Sequence, residues 1–407
     1  MTTARAAAAA TALGIAESLA DPYAVARNLP AAHVHTLGDG LAGTALLHAR
    51  LSTVEPAGAH RALAHWETAA DALGRAGSVG ADGVYRGRGG LAASLIIGAA
   101  HLPRGVVPRD AVRDGTRWLS RRAEQIVAGA TSARGRARTP LPTGVYDTLR
   151  GLSGVGRVLL VASQGGWAAE AAPGLTAALT LLTAMILQGT ADRPGWAARA
   201  SGPPAPAPGP VPAGASATGM AHGIAGPLAL LALAERAGAS VPGRRRAIEA
   251  AADWLLQHRA DASWPCWTPD GPPGGRRDAW CYGAPGITRA LDLAASALGR
   301  DQYAREALDC LHALAGRDPG TWDTRGAGLC HGSAGVLMAA LRGHCPALAE
   351  SACERTVELL AGQCPDSRSR RTGFLTGAAG AALALTHYAD LPARDSRAPW
   401  DSLLLTV

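Results

Sequence analysis

The residues best suited to chemistry are two cysteines and a histidine that stand directly before glycine-rich turns. They are Cys281, in Trp-Cys-Tyr-Gly-Ala-Pro-Gly, and the adjacent pair Cys330 and His331, in Leu-Cys-His-Gly-Ser-Ala-Gly. Two thiols and one imidazole are good zinc ligands, and a site with three protein ligands leaves a fourth position open for reaction. Because Cys281 and Cys330 are 49 residues apart, they meet only if the fold superposes the two segments.

A Gly-x-x-Gly pattern occurs seven times, and each copy leads into an apolar run with helical spacing. Successive copies begin 45 to 72 residues apart, which leaves room for two helices in each repeat. Such self-similarity predicts a repeat architecture. Abundant alanine and scarce β-branched runs predict that the fold is all-α. The turns are Gly40–Gly43, Gly87–Gly90, Gly151–Gly154, Gly223–Gly226, Gly283–Gly286, Gly332–Gly335 and Gly377–Gly380.

The residue directly before the first glycine is polar in every turn. In an open solenoid the first and last of these residues would lie far apart. In a closed ring, equivalent positions face one axis, so all of them would converge on one end of a shared cavity. We favour the ring, an α/α toroid. These register residues are Asp39, Arg86, Arg150, His222, Tyr282, His331 and Thr376.

Composition limits the function classes. The repeats run from about residue 37 to residue 385 of 407, which predicts one domain over residues 1–407. The net charge of +7 comes from arginine, since the chain has no lysine. This charge is modest for the length and lacks interleaved aromatic residues, so nucleic-acid binding is not favoured. The Pro-rich segment at about 193–218 predicts a surface loop before the fourth turn.

Cysteine usage and apolar stretches indicate the compartment. Seven cysteines, an odd number, do not resemble a secreted disulfide framework. Charged residues from Glu17 onward interrupt the Ala-rich N-terminus, which predicts an amphipathic first helix rather than a signal peptide. No stretch approaches the roughly 20 apolar residues of a membrane span, so a cytoplasmic protein is expected. Core or surface thiols are expected at Cys266, Cys310, Cys345, Cys353 and Cys364.

The motifs resemble those of the lanthionine synthetase C-like family, the stand-alone lantibiotic cyclases. The resemblance rests on Trp-Cys-Tyr-Gly-x-Pro-Gly, Cys-His-Gly-x-x-Gly and Ala-His-Gly-Ile-Ala-Gly, and it extends to the C-terminal segment 400–405. It implies a double ring of seven inner and seven outer helices, with one zinc ion at one end of the cavity. It also implies a reaction in which a peptide cysteine adds to dehydroalanine or dehydrobutyrine to form lanthionine or methyllanthionine.

The resemblance assigns roles to residues of this chain. Cys281, Cys330 and His331 match the zinc ligands, and His222 matches the active-site histidine. A further set, Asp147, Arg277 and Tyr282, matches the remaining polar groups near the metal. The implied partners are a precursor peptide with a leader and a dehydrated core, a dehydratase, and a membrane-associated complex with an exporter.

These residue types suit thiol chemistry. An ordinary cysteine thiol has a pKa of about 8.5 and supplies little thiolate at neutral pH, whereas zinc coordination deprotonates it. A histidine can take the thiol proton, protonate the enolate that follows, or do both, and these alternatives stay open for His222. Asp147 would orient His222, Arg277 would offset the oxyanion, and Tyr282 would donate a hydrogen bond.

Other readings predict different features. A zinc-containing toroid that binds peptides or thiols such as glutathione would keep the ligands without the catalysis. Prenyltransferases and terpenoid cyclases need acidic Asp-Asp-x-x-Asp clusters, which the sequence lacks, and a glycosidase needs paired carboxylates.

Two basic clusters predict solvated loops, and an acidic leader peptide is the partner to test against them. The clusters are Arg134, Arg136 and Arg138, and Arg368, Arg370 and Arg371.

Overall fold

The chain folds into helices joined by short turns, with a single two-stranded pairing in the part that is described. The computed structural model describes residues 2–76, 82–134, 140–190, 194–198, 214–268, 277–362, 371–394 and 398–407. The helices are Thr3–Ser18 (α1), Pro22–Arg27 (α2), Leu41–Leu51 (α3), Gly58–Ala76 (α4), Gly87–Ala99 (α5), Arg109–Arg134 (α6), Thr143–Tyr146 (α7), Leu152–Ala162 (α8), Ala168–Gln188 (α9), Ala225–Arg236 (α10), Arg244–Gln257 (α11), Ala284–Leu298 (α12), Asp301–Ala315 (α13), Ser333–Arg342 (α14), Pro346–Ala361 (α15) and Ala378–Tyr388 (α16).

The two strands are short and buried. Ser216–Ala217 (β1) pairs with Trp267–Thr268 (β2) in an antiparallel register. Short 3-10 helices cover Pro319–Thr321 and Trp400–Leu404. Strand β1 belongs to the C-terminal flank of the Pro-rich segment, and a bridge from Ala197 to Ser216 joins it to the other flank. The centre of that segment, residues 199–213, lies outside the described residues.

Helices that follow the Gly-x-x-Gly turns form the inner ring. Each of them packs against the next along the chain, and α16 packs against α3, which closes the ring. Each inner helix also packs against an outer helix. The all-α toroid predicted from the sequence is confirmed. Within the described residues, the inner helices are α3, α5, α8, α10, α12, α14 and α16, and the outer helices are α1, α4, α6, α9, α11, α13 and α15.

The outer partner of α16 comes from the other end of the described chain. Helix α1 packs against α16 and α15, so the last inner helix is covered by the first outer one. Its buried residues recur at helical spacing: Ala8, Ala12 and Ile15 face the neighbours. The predicted first helix is therefore an outer helix, and it closes the outer ring by packing against α15 and α16.

Close backbone packing explains the two glycines of each turn. A side-chain carbon at Gly286 would lie 2.1 Å from the carbonyl oxygen of Trp280, and one at Gly335 would lie 2.2 Å from that of Leu329. The fourth residue of the turn therefore presses on the carbonyl six residues earlier, and only glycine fits there. This requirement gives the repeat its sequence signature.

Backbone hydrogen bonds connect the turns to one another around the whole ring. In most pairs the residue two before a turn's first glycine donates to the matching residue of the next turn, and every bond measures 2.8 to 3.1 Å. We call this closed set the turn circle. An open solenoid would lack the bond between the last and first turns. The bonds are Gly38 to Tyr85, Val84 to Leu149, Thr148 to Ala221, Ala221 to Cys281, Cys281 to Cys330, Cys330 to Leu375, and Leu375 to Gly38.

The C-terminal segment lies inside the inner ring. Asp401 is fully buried and accepts two hydrogen bonds from Arg342, at 2.7 and 2.9 Å. The Trp280 indole donates to the carbonyl of Leu404 at 2.9 Å. Because its partners come from different sides of the ring, the segment fills the bore. Side chains that donate to the segment are Tyr85, Arg157, Trp280, Arg289 and Arg342.

One stretch is longer and more apolar than the sequence analysis expected. Leu152–Gln188 would suffice, by length and composition alone, to cross a membrane. In the structure Gly166 has a φ of 99° and interrupts the helix there. The two halves become α8, an inner helix, and α9, the outer helix packed against it. Its apolar character is thus largely accounted for by packing within the double ring.

Several buried histidines predict that the fold is sensitive to acid. Burial lowers the pKa of His48 to about 4, of His65 to about 3 and of His101 to about 4. Since these folded-state values lie below the ordinary 6.5, the unfolded chain binds protons first as the pH falls. We expect the free energy of unfolding to drop by about 5 kcal/mol between pH 7.5 and pH 5, measured by urea titration with a chelator present.

Substitution separates this effect from general acid denaturation. His101→Gln should reduce the drop in the free energy of unfolding between pH 7.5 and pH 5, because His101 is buried and neither of its ring nitrogens is hydrogen-bonded among the described residues. His60→Gln, at an exposed position on α4, is the matched control and should leave that drop unchanged. Equal urea midpoints for the wild-type protein at the two pH values would contradict the prediction.

Candidate metal centre

The structure brings Cys281, Cys330 and His331 together at the end of the ring where the turns lie. Their ligand atoms all lie within 4.8 Å of one another. The turn circle causes this meeting, because the Cys281 amide donates to the Cys330 carbonyl at 3.0 Å. Residues 49 positions apart in sequence become neighbours because α12 and α14 are adjacent inner helices.

A tight hairpin holds the Cys281 segment in place. Gly283 has a φ of 108°, and a side-chain carbon there would lie 1.6 Å from the Arg277 carbonyl oxygen. The hairpin is closed by a bridge between Asp278 and Gly283. The Asp278 carboxylate accepts from the Arg317 guanidinium at 3.0 Å and from the Asp323 amide at 2.9 Å. These contacts fix the position of the Cys281 thiol before any ligand binds.

The thiols of Cys281 and Cys330 are coupled by a hydrogen bond. The Cys330 thiol hydrogen-bonds to Cys281 and is the main cause that lowers the pKa of Cys281, and His331 lowers it further. The same hydrogen bond and burial raise the pKa of Cys330. One sulfur of the pair is therefore readily ionised, as suits a site that binds a soft cation through thiolates.

The donor set fits zinc. Two sulfurs and one imidazole are common zinc ligands, and three protein ligands with an open fourth position are typical of catalytic rather than structural sites. Cys330 also lines the large cavity at this end of the ring, so a ligand in the cavity has access to the centre. The remaining described cysteines, Cys266, Cys310, Cys345 and Cys353, are buried.

His222 and Asp147 form a buried pair beside the centre. The Nδ1 atom of His222 lies 2.8 Å from one carboxylate oxygen of Asp147. The other oxygen accepts from the backbone amides of Arg150 and Gly151, both at 2.7 Å. Asp147 therefore both orients the histidine and caps the turn that begins α8. With Nδ1 protonated toward the carboxylate, Nε2 of His222 remains for chemistry, and His222 lines the cavity.

Tyr282 lies beside His222, and Arg277 lies in the hairpin that positions Cys281. The Tyr282 ring lies 6.3 Å from the His222 ring between centroids, and burial raises the pKa of its hydroxyl, which keeps the proton on it. The Arg277 guanidinium is mostly buried and lies 3.6 Å from a carboxylate oxygen of Asp323. Arg277 is thus partly neutralised, and its role at the oxyanion stays a prediction.

A cavity of about 810 Å³ opens at this end of the ring. It contains five of the seven predicted register residues together with Cys330, so most of the register converges as expected. Asp39 and Thr376 make contacts at this end of the ring that the sequence did not predict. Asp39 lies near enough to Cys330 to raise the pKa of that thiol, and Thr376 donates to Asp39 at 2.9 Å. The register residues in its lining are Asp39, Arg86, Arg150, His222 and Thr376.

Most side chains of the two predicted basic clusters lie outside the described part of the chain. Arg371 lines the cavity and is exposed. Residues outside the described ranges are Arg136, Arg138, Arg368 and Arg370, together with Cys364. The side chain of Arg134 also falls outside the described part.

Comparisons with known proteins agree with this architecture. A solved structure of nisin cyclase is similar, with a TM-score of 0.71 over 93% of this chain and 94% of that chain at 19% sequence identity. At this identity the similarity shows the fold. No curated protein matches the sequence. A family model described as lanthionine synthetase C-like protein matches residues 33–405. The chain therefore belongs to the lanthionine synthetase C-like family.

Proposed function

We propose that this protein is a zinc-dependent lanthipeptide cyclase. It joins peptide cysteine thiols to dehydroalanine or dehydrobutyrine in a precursor peptide, forming lanthionine or methyllanthionine. The observation that supports the proposal is the clustering of Cys281, Cys330 and His331 near the His222–Asp147 pair, with Cys330 and His222 both lining the cavity. Membership of the lanthionine synthetase C-like family supports the reaction class.

Cys281, Cys330 and His331 would hold the metal. Zinc, when bound, supplies the acidity that makes a substrate thiol a nucleophile at neutral pH. Two thiolates and a neutral imidazole cancel the charge of a divalent ion, so this ligand set favours electron-rich sulfur over activated water. Rigid placement by the turn circle and the Gly283 hairpin keeps the ligands in position through turnover.

His222 would move the proton. The reaction forms a carbon–sulfur bond, shifts the alkene electrons onto the neighbouring carbonyl as an enolate, and transfers one proton from sulfur to carbon. With Asp147 on Nδ1, Nε2 of His222 is free to accept that proton and to return it. The buried Asp147 carboxylate stabilises the imidazolium between the two steps.

Tyr282 and Arg277 would stabilise the enolate. Tyr282 keeps its proton because its pKa is raised by burial, so it remains a hydrogen-bond donor at neutral pH. Arg277 carries permanent charge within the same hairpin, with Asp323 holding it in place. Both residues act on the developing negative charge and leave proton transfer to His222.

A defined peptide tests the function. We expect the zinc-loaded protein to convert a peptide with one cysteine and one dehydroalanine into a product of unchanged mass that no longer reacts with a thiol-alkylating reagent. A sample without protein reports the uncatalysed rate. Binding of the peptide or of glutathione with full retention of the free thiol would instead favour the non-catalytic thiol-binding toroid.

The proposal extends to the cellular setting. The substrate would be a precursor peptide whose serines and threonines a dehydratase has converted to dehydro residues, in a complex at the membrane with an exporter. We propose a cytoplasmic location and a single domain over residues 1–407, with a Pro-rich surface loop at about 193–218.

A further inference from the structure

The metal ligands and two of the arginine register residues belong to different turns of the ring. The metal ligands belong to the fifth and sixth turns, Cys281 before Gly283 and Cys330 before Gly332. Arg86 and Arg150 occupy the second and third turns. In a ring of seven, these turns lie on opposite sides. One side of the cavity therefore holds the metal ligands, and the other side presents the guanidinium groups of Arg86 and Arg150. Arg371 precedes the seventh turn, next to the sixth.

These arginines are short of partners. The Arg86 side chain is 64% exposed and its nearest carboxylate, on Asp39, lies 3.8 Å away. That carboxylate also accepts from Thr376 at 2.9 Å. Arg150 and Arg371 are exposed, and neither has a carboxylate within ion-pair distance among the described residues. Among the described residues that line the cavity there are thus three arginines and one carboxylate, that of Asp39, which concentrates positive potential there.

We propose that this arginine rim, formed by Arg86, Arg150 and Arg371, binds carboxylates of the peptide substrate. The inference rests on the proposed function, because it names a recognition feature of that same site. The planar guanidinium matches a carboxylate in two-point geometry. Among the described residues that line the cavity, Tyr85 is the one Phe, Tyr or Trp side chain, and it is 3% exposed, so it offers little surface for stacking a nucleobase. A peptide carboxylate is therefore favoured over a nucleic acid.

For an acidic residue held by Arg86 or Arg150, ring geometry sets its spacing from the reacting cysteine. Adjacent helix axes about 9 Å apart place facing turns of a seven-membered ring roughly 20 Å apart. Side chains from both sides narrow that gap to about 10 Å, which an extended peptide crosses in about three to four residues. We therefore expect recognition of Asp or Glu about three to four residues from the cysteine, and weaker recognition of an acid directly beside it.

A charge-swap experiment tests the arginine rim. Fluorescently labelled cysteine peptides carrying Glu, Gln or Lys four residues from the cysteine are titrated with zinc-loaded protein, and Kd is read from anisotropy. In Arg86→Glu/Arg150→Glu we expect roughly ten-fold weaker binding of the Glu peptide, tighter binding of the Lys peptide and little change for Gln. The differences should shrink in 0.5 M salt, because exposed charges are screened there.

Arg246→Glu is the matched control for the charge change. Arg246 is exposed on the outer helix α11, away from the cavity lining. If Arg246→Glu weakened binding of the Glu peptide as much as the double variant does, a general net-charge effect would explain the result and the arginine rim would be wrong. Unchanged binding of the Glu peptide in the double variant would also contradict the rim. Cyclisation by the wild-type protein is scored separately. Charge-selective binding without cyclisation would contradict the proposed function and still support the arginine rim.

Discussion

Cys330→Ala is expected to lose the metal and the activity together. The wild-type protein should carry one zinc per chain, and the variant close to none, because two remaining donors cannot replace a three-ligand site. We expect cyclisation to fall at least about 1,000-fold, since the substrate thiol then reverts to its ordinary acidity. Metal analysis of protein purified without chelators, together with the thiol-alkylation assay, measures both effects.

The fold of this variant should survive. The Cys330 contacts in the turn circle are made by its backbone amide and carbonyl, which alanine retains. Cys353→Ala is the matched control, because Cys353 is a buried thiol on the outer helix α15. It should keep its zinc and its activity. Metal-free wild-type protein that takes up no added zinc would refute the proposed centre, and zinc retained in Cys330→Ala would refute this ligand.

Replacing His222 with asparagine should remove the proton transfer and leave the metal in place. We expect kcat to fall about 100- to 10,000-fold, the usual contribution of a positioned acid–base group. Zinc content and peptide Kd should stay near wild-type values, because His222 is not among the clustered ligands. Steady-state kinetics, metal analysis and anisotropy on the same preparation separate the three effects.

The control for this change is a histidine that lies outside both the metal cluster and the cavity lining. His312→Asn, at an exposed position near the end of outer helix α13, should leave kcat unchanged. Wild-type cyclisation by His222→Asn would show that another group carries the proton. A loss of zinc in the same variant would show that the histidine supports the metal rather than the proton transfer.

The inner ring could be predicted because its requirements are local. Each Gly-x-x-Gly turn requires glycine where a side chain would clash with a backbone carbonyl oxygen, as at Gly286 and Gly335. The sequence shows this requirement as two glycines at a fixed spacing. The meeting of Cys281 with Cys330 then follows from equivalent positions in adjacent repeats. Family motifs located His222 and Asp147, which the structure joins by a hydrogen bond.

Other features depend on contacts that leave no local pattern. The ion pair of Arg277 with Asp323 joins residues 46 positions apart and has no periodic signal. The C-terminal segment fills the bore through hydrogen bonds to side chains of distant repeats, as from Trp280 to Leu404. The apolar stretch Leu152–Gln188 shows the opposite case, because its composition suggests a span that Gly166 breaks.

The pairing of α1 with α16 has a consequence for how the protein is made. About 360 residues (18 to 378) separate the end of α1 from the start of α16. At about 5–20 residues per second, a ribosome takes roughly 20 seconds to over a minute to cover that distance. During most of this interval α1 lacks its two main partners, α15 and α16, so its face with Ala8, Ala12 and Ile15 stays largely uncovered in the nascent chain.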